Sequence, residues 1–114
     1  THAFRIQRMR RLSALPVALE EIWLDGVWAE QIVPDDLSES LYLFYRRSLN
    51  LWIVRAEDRI GIAPVPDWGR SLDVFQGDIA GYVERWGRTE ANEVAEYSRT
   101  WFNTDRARYV SRMA

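Results

Sequence analysis

The sequence has no cysteine and no lysine, and its one histidine, His2, stands beside the chain start. Without cysteine, disulfides, thiolate zinc sites and cysteine nucleophiles are excluded. A single histidine at this position also argues against a Ser-His-Asp triad and excludes a multi-histidine metal site. We therefore expect no metal and no cofactor. Carboxylates, arginine, tyrosine and serine are the side chains left for chemistry.

Long apolar runs are missing as well. No stretch approaches the length that spans a membrane, and no signal peptide is visible. Because there are also no cysteines to pair in an oxidising compartment, we expect a cytoplasmic protein without a membrane partner.

An excess of positive charge is absent too, since the net charge is -2. Binding nucleic acid through phosphates needs a basic surplus, so we do not expect this chain alone to hold DNA or RNA. All 15 basic side chains are arginine. A GC-rich genome would explain that choice, and so would planar recognition of anions.

What the sequence does contain is enough apolar material for one ordinary domain. It has 114 residues, of which 47% are hydrophobic. The six tryptophans are more often core residues than pocket walls. The chain starts directly in strand-like sequence, which favours a fragment of a longer protein.

Hydrophobic periodicity predicts an α+β domain with one mostly antiparallel sheet. Two strands, 3–12 and 17–24, form a hairpin around a turn at 13–16, and 25–34 is irregular. A helix at 36–49 ends at Asn50. A strand at 51–63 and a short helical turn within 67–72 follow. The last three predicted strands are 79–86, 93–102 and 106–113.

Arg8 and Arg10 are the sharpest feature of the sequence. They alternate with Phe4, Ile6 and Leu12 on the strand face that should point inward. Arginine on such a face is rarely left unpaired, so a negative group should lie beside the pair. That group is either a protein carboxylate or the anion of a ligand.

The protein carboxylate would come from the second strand of the hairpin. A three-residue loop places Glu20 opposite Arg8, whereas a four-residue loop places Glu21 there. Ion-pair networks are commoner than binding sites, so spacing alone favours the internal pair over an anion site.

Three further polar residues are candidates for ligand binding. Ser40 and Tyr42 lie near a helix start, where free N–H groups attract anions, although a plain N-cap and a half-buried tyrosine explain them equally simply. Glu96 lies on a weakly polar strand face. It would accept sugar hydroxyls or pair with an arginine, or else be a solvated edge residue.

The acidic pairs Glu20-Glu21 and Glu57-Asp58 do not indicate glycosidase chemistry. Neighbouring residues on a strand point to opposite faces, so neither pair can share one active site.

Five short motifs, in order along nearly the whole chain, carry a resemblance to a known family. RMR at 8–10 followed by PVALE at 16–20 resembles "R-x-R … P-V-A-x-E", and SLY at 40–42 resembles "SLY". VAEYS at 94–98 resembles "VEYS", and NTDRARY at 103–109 resembles the terminal "gDRyrf" strand. These are motifs of the UTRA domain, the effector-binding domain of HutC-type GntR regulators of bacteria.

The resemblance implies a chorismate lyase-like fold and a homodimer. It also implies an N-terminal winged-helix domain, outside this sequence, that binds operator DNA. In members that sense sugar phosphates, the two motif arginines and the serine and tyrosine of "SLY" hold the phosphate. Carried over, Arg8, Arg10, Ser40 and Tyr42 form an anion site, and Glu20 and Glu96 lie near the sugar.

Two departures from the family pattern follow from the same comparison. The family's first strand, with the helix and loop after it, precedes the position of Ala3 and is absent, so we expect weaker binding or exchange of strands with a neighbour. Phe102 stands where some sugar-phosphate binders have tyrosine, so the identity of the sugar stays open.

The function we predict is a sensor of a small anionic metabolite, with sugar phosphates ahead of carboxylates such as urocanate or a fatty acid. Arg8 and Arg10 would hold the anion in a bidentate manner, and closure would shift the dimer. One alternative is a chorismate lyase-like enzyme, although a shared fold does not establish a shared activity. The other alternative is a dimerisation module with a degenerate pocket.

Overall fold

The protein is described from a computed structural model over residues 3–29, 45–47, 49–68 and 78–112. The strands are β1 (Ala3–Leu12), β2 (Leu15–Asp25), β3 (Arg55–Pro64), β4 (Ile79–Arg88) and β5 (Val94–Phe102). A four-residue helix, α1 (Gly26–Ala29), follows β2. Within these ranges no helix is long and apolar enough to cross a membrane.

The five described strands form one sheet in the order β1-β2-β5-β4-β3. Every ladder between them is antiparallel. The predicted α+β class with a mostly antiparallel sheet is therefore confirmed. β5 lies at the centre, and β1 and β3 lie at the two edges.

Register divides the side chains into two faces. We call face A the side that carries the even-numbered residues of β1, of β2 from Ala18 onward, of β3 and of β5 from Glu96 onward, together with the odd-numbered residues of β4. Face B is the other side. Directly opposed residues share a face, so a row across face A runs from Arg8 through Glu20, Thr100 and Val83 to Ile60.

The β1-β2 hairpin closes with the register in which Glu20 is opposite Arg8. Its turn is shorter than predicted, because only Ser13 and Ala14 are outside the strands, both with positive φ. One register shift follows beyond Arg10, where Val17 is left without an opposite residue. A two-residue turn plus one bulge residue gives the same pairing as a three-residue loop, the first of the two alternatives considered from the sequence.

Two apolar clusters form the core, and they contain few of the tryptophans. Residues 45–47 and 49 are helical, and Tyr45 packs into the first of these clusters. As predicted, this helical segment ends at Asn50, which has a left-handed backbone conformation with φ 52. That first cluster comprises Ile6, Ile22, Leu24, Tyr45, Leu51 and Ala95. The second comprises Leu19, Val65, Ala80 and Trp101.

The ends of β2, β4 and β5 lie within two residues of the predicted ones, and three other predictions are wrong. The strand predicted from residue 51 begins at Arg55, because Leu51 turns inward onto the core beside Tyr45. Residues 106–112 of the predicted last strand are not in a strand, and the backbone N–H groups of Arg106 and Ala107 donate to the carbonyl oxygen of Asn103 instead of to a neighbouring strand. The irregular segment after β2 opens with α1, where the Asp25 carboxylate accepts the N–H of Val27.

Candidate functional site

The hairpin and β5 bring five predicted site residues onto one side of the sheet. These face A residues are Arg8, Arg10, Glu20, Glu96 and Phe102. They come from three neighbouring strands, although 94 positions separate the first from the last along the chain. Ser40 and Tyr42, the other two predicted residues, lie outside the described residues, as does most of the predicted 36–49 helix.

The two motif arginines converge on one carboxylate oxygen. Arg8 Nε lies 2.8 Å and Arg10 Nη1 3.4 Å from Oε1 of Glu20. The side chain of Arg8 is 18% exposed, whereas that of Arg10 is 53% exposed. The internal ion pair considered from the sequence is therefore present, and Arg10 is its loosely held member.

Charge on this patch does not balance within the three residues. Two guanidinium groups contribute two positive charges, and Glu20 supplies one negative charge. Arg8 makes an interaction beyond the Glu20 contact, so it is well anchored. Arg10 is more exposed, and its longer contact is worth little in water. Of the two motif arginines, Arg10 is therefore the one more open to an anion from solvent.

Glu96 is buried at the end of face A, with 4% of its surface exposed. The hydroxyl of the fully buried Tyr45 donates a hydrogen bond to its Oε2. The alternative of a solvated edge residue is thus wrong. Tyr45, which the sequence indicated only as one member of an apolar helix stripe, holds this carboxylate in place.

Phe102 forms the opposite end of the same strip. Its ring lies over Gly81 of β4 so closely that a Cβ built at Gly81 would be 2.3 Å from Cζ of the ring. Only glycine lets the ring lie flat here. The Phe102 ring is therefore fixed over β4 and β5. It lies in the row of directly opposed residues that begins with Arg10 on β1.

A second charged group on face A was not predicted. Arg85 of β4 holds Asp58 of β3 with two bonds, Nε to Oδ1 at 2.6 Å and Nη2 to Oδ2 at 2.8 Å. The hydroxyl of Tyr109 donates to Oδ2 at 2.6 Å. The Arg85 guanidinium holds the pKa of Asp58 below its ordinary value despite burial, so the carboxylate is charged near neutral pH. Only β3-β4 register puts these residues together.

Face B carries a different layer, made of arginine and aromatic rings. Buried Glu21 accepts hydrogen bonds from Gln7 and Arg99, and the Arg99 guanidinium lies 5.2 Å from the ring centre of Trp23. Trp23 stacks on Tyr97 at 5.4 Å. The prediction that Glu20 and Glu21 cannot share a site is confirmed, because they pair with different arginines on different faces.

Tyr97 closes this layer by donating to Glu84 at 2.5 Å. Burial, followed by that hydrogen bond, raises the pKa of the Tyr97 hydroxyl far above its ordinary value, so it stays protonated. A shallow hollow of about 300 Å³ opens beside Trp23 and Tyr97 at the sheet end, and Glu96 is the one described residue of the predicted site that lines it. Among the described residues no trio of acidic or histidine side chains is placed to hold a metal ion.

The sequence is similar to a known domain family and to a known regulator. The UTRA domain family matches residues 1–108. The HTH-type transcriptional regulator SmoD of Agrobacterium fabrum is 47% identical over 116 residues, covering 99% of this chain and 49% of the regulator. This chain thus spans about half the length of that relative.

Solved structures with the same fold are also regulator domains. The ligand-binding domain of a GntR-family regulator from Bordetella bronchiseptica superposes with a TM-score of 0.87 at 20% identity, covering 98% of this chain and 73% of that one. The effector-binding domain of the Bacillus subtilis trehalose repressor superposes with a TM-score of 0.81 at 18% identity, covering 98% and 78%.

The fold therefore places the chain in the structural class of these solved ligand-binding and effector-binding domains. Within that class, the chain belongs to the UTRA domain family.

Proposed function

We propose that this domain binds a small anionic metabolite, with a sugar phosphate favoured, on face A between the β1-β2 hairpin and β5. The observation that carries the proposal is the pair of arginines sharing one oxygen of Glu20. That arrangement places two guanidinium groups, one of them half exposed, next to polar and aromatic side chains on the same face.

Each side chain has a distinct role in this proposal. Arg10 turns from Glu20 to the incoming anion, because its contact is the longer of the two and its side chain is half exposed. Arg8 then shares its guanidinium between Glu20 and the anion. The carboxylates of Glu20 and Glu96 accept sugar hydroxyls, and Phe102 packs against the sugar ring. Ser40 and Tyr42 complete the phosphate site.

Ligand binding would act on DNA through the rest of a longer regulator. We propose that two copies of this domain associate as a homodimer in the cytoplasm. A DNA-binding domain outside this sequence would then contact the operator. A metabolite that binds one arrangement of the dimer better than the other shifts the population toward it. The kinship with regulators supports this reading, and the trehalose repressor among the fold's relatives supports sugars as the ligand class.

A thermal-shift screen tests the proposal on the domain itself. The probes are sugar phosphates, their unphosphorylated sugars, inorganic phosphate, phosphonates and carboxylates including chorismate. A ligand present at 100 times its dissociation constant should increase the free energy of unfolding of the domain by about 2.7 kcal/mol. That raises the unfolding midpoint by roughly 10 °C in a domain of this size.

Arg8→Ala should abolish most of that shift. Arg59→Ala is the matched control, because Arg59 pairs with a carboxylate at 3.0 Å on face B and is largely exposed. If Arg8→Ala keeps the full shift, the anion does not bind at this face. Conversion of chorismate during incubation would favour an enzyme, and no response to any probe would favour a dimerisation module.

A further inference from the structure

Two arginines on face B lie directly opposite each other at one end of the sheet. Arg55, the first residue of β3, is the register partner of Arg88, the last residue of β4. Like charges in this arrangement destabilise a sheet. The Arg88 guanidinium donates through Nη1 to the backbone carbonyl oxygen of Asn92 at 3.0 Å, which positions the side chain without neutralising its charge.

Positive charge continues from this pair onto the segment before β3. Arg46 lies over the ring of Trp52, with its Cζ 4.6 Å from the ring centre, and this large apolar side chain is itself 51% exposed. The backbone N–H of Val54 donates to the carbonyl oxygen of Arg88 at 2.9 Å, which joins the segment to the end of β4. We call Arg46, Trp52, Arg55 and Arg88 the arginine patch.

The charge of the arginine patch is not balanced by carboxylates. Within the part of the chain that the structure describes, none of its three arginines forms an ion pair with Asp or Glu. Arg59, further along β3, differs from them because it pairs with Glu57 at 3.0 Å. Guanidinium groups gathered without counter-charges attract a polyanion, and their planar donors match the oxygens of a phosphate.

The arginine patch lies at the end of the sheet where the chain enters β1. A row of directly opposed residues crosses the sheet there through Leu24, Glu96 and Gly87. Ala3 of β1 and Arg88 of β4 are each one position beyond that row, in the same direction. A DNA-binding domain joined to the N-terminal side of this chain would therefore be connected at the end that carries the patch.

We propose that the arginine patch binds backbone phosphates of duplex DNA, and that it adds these contacts to those of the DNA-binding domain. This inference rests on the proposed function, because it takes the longer protein to hold an operator. The net charge of -2 makes the patch an auxiliary surface, whose binding is weak in the isolated domain. Three guanidinium groups neutralise about three phosphates, with Arg55 and Arg88 adjacent because opposed Cα atoms are about 5 Å apart.

The test is a titration of a fluorescently labelled duplex of random sequence with the 114-residue domain, at salt concentrations from about 50 mM to 200 mM. Affinity from three phosphate contacts should fall about 40-fold over this range, because each contact releases a counterion. Arg88→Gln removes one contact, so the fall should shrink to about 12-fold. Arg59→Gln makes the same change of net charge on the same face, and it should keep the full salt dependence.

Two results overturn the DNA contact. One is no binding of the duplex by the unmodified domain at the lowest salt, and the other is an equal effect of Arg88→Gln and Arg59→Gln. Polyglutamate is a second probe, and if it binds as tightly as the duplex, the patch recognises an acidic protein and the assignment to DNA is wrong. Should Arg88→Gln fail to fold, Arg55→Gln takes its place, since Arg55 is exposed at a strand end.

The metabolite screen distinguishes this inference from the proposed function. Arg88→Gln should keep the full thermal shift with the metabolite, because Arg88 and the proposed metabolite site lie on opposite faces of the sheet. Loss of DNA binding with an intact thermal shift overturns the arginine patch alone. A domain that binds the duplex through the patch and shows no shift with any metabolite overturns the sensor and leaves the DNA contact standing.

Discussion

Glu20 and Glu21 are neighbours in the chain, yet their carboxylates have different partners on different sides of the sheet. Glu20 lies between Arg8 and Arg10 on face A, and Glu21 is buried against Arg99 and Gln7 on face B. The period of two along a strand accounts for this separation. One carboxylate is therefore free to exchange partners with a ligand, and the other is part of the fold.

At the residue scale, Glu20→Gln should raise the affinity of the domain for inorganic phosphate. Removing the carboxylate charge removes the one internal competitor for an anion that both Arg8 and Arg10 contact among the described residues. Calorimetric titration at low salt measures the change, which should be about tenfold, as expected for one charge-assisted contact.

Glu21→Gln is the control for that titration. It should leave phosphate affinity unchanged while destabilising the fold by about 1–3 kcal/mol, because Arg99 loses its charged partner. An unchanged phosphate affinity in Glu20→Gln would show that Glu20 does not compete with an anion for these arginines.

At the scale of elements, β4 and β5 are fitted to each other by a glycine facing an aromatic ring. Gly81 is directly opposite Phe102, and the ring occupies the space that a side chain at Gly81 would take. Gly61 of β3, close by on the other face, has nothing within 4 Å of its own missing Cβ. The two glycines thus have opposite tolerance for a methyl group, although the sequence presents both simply as glycine within a strand.

Gly81→Ala should destabilise the domain by about 1–3 kcal/mol, because the ring or the strand must move to admit the new carbon. Urea denaturation measures the change. Gly61→Ala should be within about 0.5 kcal/mol of the unmodified domain, since it meets open space. Combining Gly81→Ala with Phe102→Leu should recover part of the loss, and full additivity of the two substitutions would contradict the contact.

The whole molecule is stabilised by two carboxylates, one on each face, whose charged forms are favoured by folding. The hydrogen bond from Arg85 lowers the pKa of Asp58 below its ordinary 3.8. Burial opposes ionisation of Glu21, yet hydrogen bonds from Arg99 and Gln7 outweigh it and lower its pKa below 4.5. The folded state therefore binds these protons less readily than the unfolded chain does.

The free energy of unfolding should consequently be flat around neutral pH and fall as the pH drops below about 4.5, as the unfolded chain takes up protons that the folded one resists. Denaturation series from pH 7 to pH 3 measure this slope. Asp58→Asn and Glu21→Gln should each make it shallower. Glu57→Gln, which alters an exposed carboxylate of the same β3 strand, should leave it unchanged. If the slope is unchanged in both Asp58→Asn and Glu21→Gln, these two carboxylates do not cause the loss of stability at low pH.

The sequence by itself determined the strand faces and therefore much of the candidate site. Period-two alternation put Arg8 and Arg10 on one face, and it separated Glu20 from Glu21 and Glu57 from Asp58, because side-chain direction along a strand is a local property. The same alternation indicated Glu96, the family resemblance drew attention to Phe102, and the sheet places both on face A.

Only the tertiary structure decided which strands are neighbours and how they are shifted against each other. It chose Glu20 over Glu21 as the partner of Arg8 through a two-residue turn and a bulge. It also brought Arg85 to Asp58 and Tyr45 to Glu96, residues 27 and 51 positions apart. Such contacts depend on ladder register and on burial of distant segments against one core, and neither is encoded in a local pattern of residues.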